Sequence, residues 1–287
     1  MPYNMRKQPV WGALALLVVM AAFALPGVAT AAPAAVVPHL TLGNENPNER
    51  AMSGSDQYLS INWAGYATFD QTNGTVTRVS GTWVMASVAC PTKGSQYMVQ
   101  WVGIDGFTTP TVEQDGTFAI CDHGVASYYA WWELYPTNAI QVVPSVSVSP
   151  GDSISALVVF HPHTDRFTMS VMDLTNGKSF SITDRQAPKY APYAQENSAE
   201  CIVERPATII HDQLVFLPLA NFGVTSFSKC TATVSGQMGG VGDFAPSAIL
   251  YMVSQKSTET HLIYMASPGG PTNLVRWSFP VTWQGYD

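Results

Sequence analysis

Three stretches of this sequence set acids or amides where they could move protons. In Ala199-Glu200-Cys201-Ile202-Val203-Glu204-Arg205, strand alternation puts Glu200, Ile202 and Glu204 on one face and Cys201 and Val203 on the other. Two carboxylates on one strand face are raw material for general acid–base catalysis. In Trp131-Trp132-Glu133-Leu134-Tyr135-Pro136 the same period groups Trp131, Glu133 and Tyr135 opposite Trp132 and Leu134, so one face is core and the other a candidate cleft wall. The third stretch runs from Gln100-Trp101-Val102-Gly103-Ile104-Asp105-Gly106 to Val112-Glu113-Gln114-Asp115-Gly116-Thr117, whose second half taken alone reads as a strand and turn. For an arbitrary glutamate the simpler account is a solvated face, or for Glu204 a pairing with Arg205. Residue types alone leave both readings open.

Other chemistries are thinly represented. There is no GxSxG elbow, HExxH, Walker loop or GxGxxG. His161-Pro162-His163-Thr164-Asp165 sits between two strand-like runs and reads as a hairpin loop rather than a metal site, and His211-Asp212 reads as surface loop. Four cysteines, Cys90, Cys121, Cys201 and Cys230, follow an apparent export signal and suggest two disulfides. Proximity in sequence favours Cys90 with Cys121 and Cys201 with Cys230. No CxxC occurs, so neither a zinc site nor any other metal or cofactor is expected.

The elements that would position these residues are strands. Period-two or short apolar runs recur between turn signals: Asn62 to Phe69, Thr75 to Val88, Met98 to Ile104, Val125 to Leu134, Ser153 to His161, Phe167 to Leu174, Ser179 to Thr183 and Ala199 to Arg205. They continue at Gln213 to Leu217, Val224 to Val234, Ile249 to Val253 and Leu262 to Met265. Thr175-Asn176-Gly177-Lys178 predicts a type I′ hairpin and Pro150-Gly151-Asp152 another turn. No segment carries a 3.6-residue apolar stripe, so the expected fold is all-β, an antiparallel sandwich or jelly roll.

Ahead of these strands, Arg6 and Lys7 precede the apolar run Val10 to Leu25 and the small residues Ala29-Thr30-Ala31. This predicts a signal peptide over 1–31, an uncleaved anchor being the alternative. Residues 32–60 read as a linker or propeptide, and 61–287 as one β-domain. Charged residues are only 11% of the chain, against about 25% typically. Few native ion pairs are therefore exposed to acid, which suits an acidic workplace. A net charge of −7 without a basic cluster beyond the signal excludes nucleic acid and anionic membrane as expected partners. The mature chain is expected to be secreted, extracellular, free of the membrane and monomeric.

In order along the chain, NWAGY (Asn62–Tyr66), QWVGIDG (Gln100–Gly106), VEQDGT (Val112–Thr117), YYAWWELYP (Tyr128–Pro136) and AECIVERP (Ala199–Pro206) resemble the glutamic peptidases, or eqolisins. GDSI (Gly151–Ile154) and FSKCTAT (Phe227–Thr233) fit the same order, and the resemblance runs from about Asn62 almost to the C-terminus. It implies a concanavalin-A-like sandwich with one curved sheet forming the cleft, and an acid-acting endopeptidase whose partners are protein or peptide substrates. It also implies Glu204 as catalytic glutamate, Gln114 as catalytic glutamine, Trp101 and Asp105 as lining or bracing residues, Glu133 as a nearby acid, and Trp63, Trp131 and Tyr135 as cleft aromatics. Two positions depart from the pattern: Cys201 stands where an aromatic is usual, and Asp115 adds a charge beside Gln114. The rival readings are a β-sandwich glycoside hydrolase using Glu133 and Glu204, and a lectin-like module whose aromatics stack on ligand.

Overall fold

The computed structural model describes residues 40–41, 50–51, 56–211, 213–272 and 277–287, so the expected signal peptide and most of 32–60 lie outside the described residues. Among those described, no helix is long and apolar enough to cross a membrane. In chain order the strands are β1 (Leu40–Thr41), β2 (Arg50–Ala51), β3 (Gln57–Ser60), β4 (Trp63–Phe69), β5 (Val76–Val84), β6 (Ser95–Ile104), β7 (Val112–Asp122), β8 (Val125–Tyr135), β9 (Gln141–Ser147) and β10 (Ser153–His161). They continue as β11 (Arg166–Asp173), β12 (Ser179–Asp184), β13 (Ser198–Glu204), β14 (Ala207–Ile210), β15 (Gln213–Phe216), β16 (Val224–Val234), β17 (Gln237–Gly240), β18 (Ser247–Val253), β19 (Tyr264–Pro268) and β20 (Phe279–Trp283). The all-β expectation holds.

One layer runs β3-β18-β4-β13-β6-β7-β8-β9, antiparallel except for the β3–β18 pair. The other runs β12-β11-β10-β5-β16-β20. Pairing of β18 with β19 and of β19 with β20 joins the two layers at one side, so the ladder curls around. Between the layers pack Leu134, Ala156, Val158, Met169, Cys201, Val203 and Phe227. A second apolar cluster, with Trp63, Trp101, Phe118, Trp131, Ile202 and Leu250, covers the opposite face of the first layer. The alternation read from Ala199–Arg205 and Trp131–Tyr135 is thus correct: Cys201, Val203, Trp132 and Leu134 belong to the inter-layer core, Ile202, Trp131 and Tyr135 to the other face.

Both expected disulfides are present. Cys201–Cys230 ties β13 to β16 in the opposite layer, and Cys90–Cys121 ties the segment after β5 to β7. Close approach of β4 to β13 requires Gly65: a Cβ there would lie 2.1 Å from the Cys201 carbonyl oxygen, at φ +154°.

Two local expectations change. Val112–Thr117 is not a strand and turn but part of an eleven-residue strand whose first ten residues are buried; with both faces covered, its polar residues gave no turn-free alternation to read. The β11–β12 connection is a hairpin, but not type I′, because only Gly177 has positive φ. The Asp173 carboxylate accepts the N–H groups of Thr175 and Asn176 and draws the loop into a wider turn.

Arg205, just past β13, is almost wholly buried and donates to Asp287 Oδ2 at 3.0 Å and Gln255 Oε1 at 3.3 Å. Asp287→Ala strips the guanidinium of its carboxylate, with an expected loss of about 1.5–3 kcal/mol. Urea denaturation at pH 5 reads this directly. An unchanged midpoint would mean that Gln255 alone satisfies the charge.

Candidate active site

Register assembles the site in rows across five strands. Glu204 of β13 lies opposite Trp63 of β4 and Val99 of β6, and Ile202 lies opposite Trp101. Glu200 lies opposite Gly103, which lies opposite Gln114 of β7, which lies opposite Glu133 of β8. All these side chains share one face, since each same-face step along a strand is two residues.

Glu204 is held at both oxygens. Asn62 Nδ2 donates to Oε1 at 3.1 Å and Trp101 Nε1 to Oε2 at 2.8 Å. Two rows away, Gln114 Nε2 donates to Glu133 Oε2 at 2.8 Å. Trp101 spans the interval. Its indole nitrogen reaches Glu204 while its six-membered ring lies over Gly103, where a Cβ would sit 2.7 Å from the ring and 3.3 Å from Gln114 Cβ. Trp63 packs edge-on to Trp101 with centroids 5.1 Å apart. Trp131 and Tyr135 face the same side, opposite Gly116 and Val112.

Asp105 stands apart. At the end of β6 with φ +67°, it turns away from Glu204 and accepts the backbone N–H groups of Gln195, Glu196 and Asn197, bracing the segment that leads into β13. Tertiary structure also adds residues that the sequence did not single out. Asn62 lay inside the NWAGY motif, so its signal was available; Ser60, bonded to it, lay in the stretch read as linker or propeptide. On the core side of β7, Gln186 Nε2 donates to Glu113 Oε1 at 2.6 Å.

Burial dominates the electrostatics. It raises Glu204 to about 8, with the hydrogen bonds from Asn62 and Trp101 pulling the other way. Asp105 is raised to about 6 by burial against its three backbone donors. Glu196 is lifted to about 8 by burial and by Asp105. Glu113 and Asp115, both fully buried, are pushed well above the carboxylate range, chiefly by desolvation. Asp115 faces the inter-layer core rather than Glu204, opposite Val102 and Trp132, so it adds no charge to the Glu204 face.

Both members of the expected pair are buried. Glu204 is 1% exposed and Gln114 0%. A surface groove of about 660 Å³ lies elsewhere, between Val84–Ser87 and Val224–Ser228.

Residues 61–267 match the Peptidase A4 family. Among solved structures, scytalido-glutamic peptidase with a transition-state analogue inhibitor superposes with a TM-score of 0.64 at 21% identity, covering 78% of this chain and 98% of that one. SCP-B, an eqolisin in complex with the tripeptide Ala-Ile-His, gives 0.62 at 21% identity with the same coverage. At this identity the likeness speaks for the fold. No curated protein sequence matches the chain. The family match spans most of the chain and every strand of the site from β4 to β13, and on it the chain belongs to the Peptidase A4 family of glutamic peptidases.

Proposed function

We propose that this peptidase is a secreted, acid-acting endopeptidase in which Glu204 and Gln114 divide the chemistry. The observation that carries the reading is the pair of neutral donors, Asn62 and Trp101, aimed at the two oxygens of a buried carboxylate on the face that also bears the Gln114–Glu133 contact. Ionised Glu204 takes a proton from water as the water oxygen attacks the scissile carbonyl carbon. The Gln114 side-chain amide, oriented by Glu133, donates to the oxyanion. Collapse of the tetrahedral intermediate breaks the C–N bond, and Glu204 returns its proton to the leaving amine.

Burial and acid action fit together. With the carboxyl buried as it is here, desolvation keeps Glu204 protonated. Opening admits water and substrate and relieves that burial, leaving the Asn62 and Trp101 hydrogen bonds, which favour the ionised base. A carboxylate base then works below neutrality, from a reference near 4.3. Export by the 1–31 segment and removal of residues 32–60 complete the proposal, with a monomer as the working form.

The test is hydrolysis of a denatured protein against a polysaccharide at acidic pH, with pepstatin present and the mature N-terminus read by intact mass. Peptide release resistant to pepstatin supports the reading. Sugar release without peptide release would favour a glycosidase pairing Glu133 with Glu204 and overturn it. Binding of polysaccharide without any hydrolysis would favour the lectin-like alternative.

A further inference from the structure

Ser60 lies at the end of β3, outside the motifs that mark the site, yet it is fully buried beside Asn62. Its oxygen accepts two backbone N–H groups, from Asn62 at 3.4 Å and Trp63 at 3.1 Å. A hydroxyl oxygen has two acceptor positions and one proton. With both acceptor positions taken, the proton has one direction left, toward Asn62 Oδ1 at 3.2 Å. That contact fixes which end of the amide is which: Oδ1 faces Ser60, and Nδ2 must face Glu204. The Asn62 carbonyl meanwhile accepts the N–H of Arg205 at 3.0 Å, so the same residue holds the main chain directly after Glu204.

We propose that Ser60 and Asn62 form a one-way hydrogen-bond relay that positions Glu204 and keeps a donor, never an acceptor, against its Oε1. The proposal rests on the assignment of Glu204 as the base. Its consequence is specific. An asparagine free to flip would present Oδ1 to the carboxylate in part of the population, favouring the protonated acid; the locked amide favours the ionised base. Trp101 supplies the matching donor on the other oxygen, so the carboxylate plane is clamped from both sides. The surrounding groups leave this control to the relay. On the Glu204 side, β4 contributes Trp63 and β6 contributes Val99 and Trp101, none of which ionises near acidic or neutral pH. The carboxylates on that face are Glu200 on the same strand and Glu133 on β8, which accepts from Gln114, while its tyrosines Tyr97, Tyr129 and Tyr135 ionise only in base. Arg205 is committed to Asp287.

The experiment is kcat/KM against pH on a denatured protein substrate for the full chain and for Asn62→Leu, Ser60→Ala, Asn62→Asp and Glu204→Gln. Loss of the Asn62 donor should move the acid limb of the profile upward by about one to two pH units, a 10- to 100-fold loss at the acidic end that shrinks as pH rises. Ser60→Ala, the gentler change, should move the limb in the same direction by less. Asn62→Asp should move it furthest, because two touching carboxyls share a proton. A role confined to packing would lower activity equally at every pH. Limbs that stay where the wild type has them, or uniform losses, overturn the relay. Failure of the underlying assignment is separable: Glu204→Gln would then cleave normally, and the relay would still be read from the infrared band of the protonated Glu204 carboxyl, taken as wild type minus Glu204→Gln across the pH range. That band's titration moving in Asn62→Leu and Ser60→Ala supports the relay, and its staying fixed overturns it.

Discussion

Glu204→Gln and Gln114→Ala are each expected to leave a folded protein that has lost cleavage of a denatured protein substrate at acidic pH. For Glu204 the expected fall is about 100- to 10,000-fold, the usual contribution of a positioned general acid–base group. For Gln114 it is about 100- to 1,000-fold, that of one oxyanion donor. The two differ in what remains. Glu204→Gln keeps the side-chain volume but turns an N–H toward either Asn62 or Trp101, both donors, so a modest loss of stability accompanies the loss of activity. Gln114→Ala removes the amide that donates to Glu133 Oε2 together with the proposed oxyanion donor. Both variants are compared with wild type by thermal melts at pH 4 beside the assay. Wild-type rates from either variant would remove the pair from the mechanism.

The second large effect concerns stability. Asp115, Glu113 and Glu204 are fully buried and hold their protons in the fold well above the pH at which an unfolded chain releases them. Below about pH 4 both states are protonated and these groups cost the fold nothing. As pH rises the unfolded chain ionises first, and each acid still protonated only in the fold costs about 1.4 kcal/mol per pH unit until its folded pKa is reached, about 8 for Glu204. Asp105 contributes over a narrower window, ending near 6. The fold is therefore expected to be most stable in acid and to weaken steeply toward neutrality. Asp115 allows a clean test because it faces the core, away from the site. Asp115→Asn should reduce the slope of unfolding free energy against pH by about 1.4 kcal/mol per unit above pH 4, with the variant gaining on wild type as pH rises. Denaturant titrations at pH 4, 5, 6 and 7 measure it, and parallel curves for the two proteins would refute it.

The same residues show where sequence is informative. Alternation in Ala199–Glu204 gave the correct faces, because strand backbone geometry sends successive side chains to opposite sides even where both sides are buried. Composition and turn signals gave the all-β class, and proximity gave both disulfides. The order of five motifs carried the family, which residues 61–267 bear out. The strand and turn read at Val112–Thr117 is instead one continuous strand, because a strand covered on both faces shows no apolar–polar contrast to mark where it continues.

What the sequence by itself determined, then, was which side chains point the same way along each strand, since that depends only on backbone geometry. What only the tertiary structure decided was which strands lie side by side and in what register. Asn62 reaches Glu204 across 142 positions, and Gln114 meets Glu133 rather than another acid, because β4, β13, β6, β7 and β8 pair as they do. Register also sends Asp115 into the core and hides Glu204 from solvent. These outcomes depend on the neighbours of each strand, and no single strand's sequence names its neighbours.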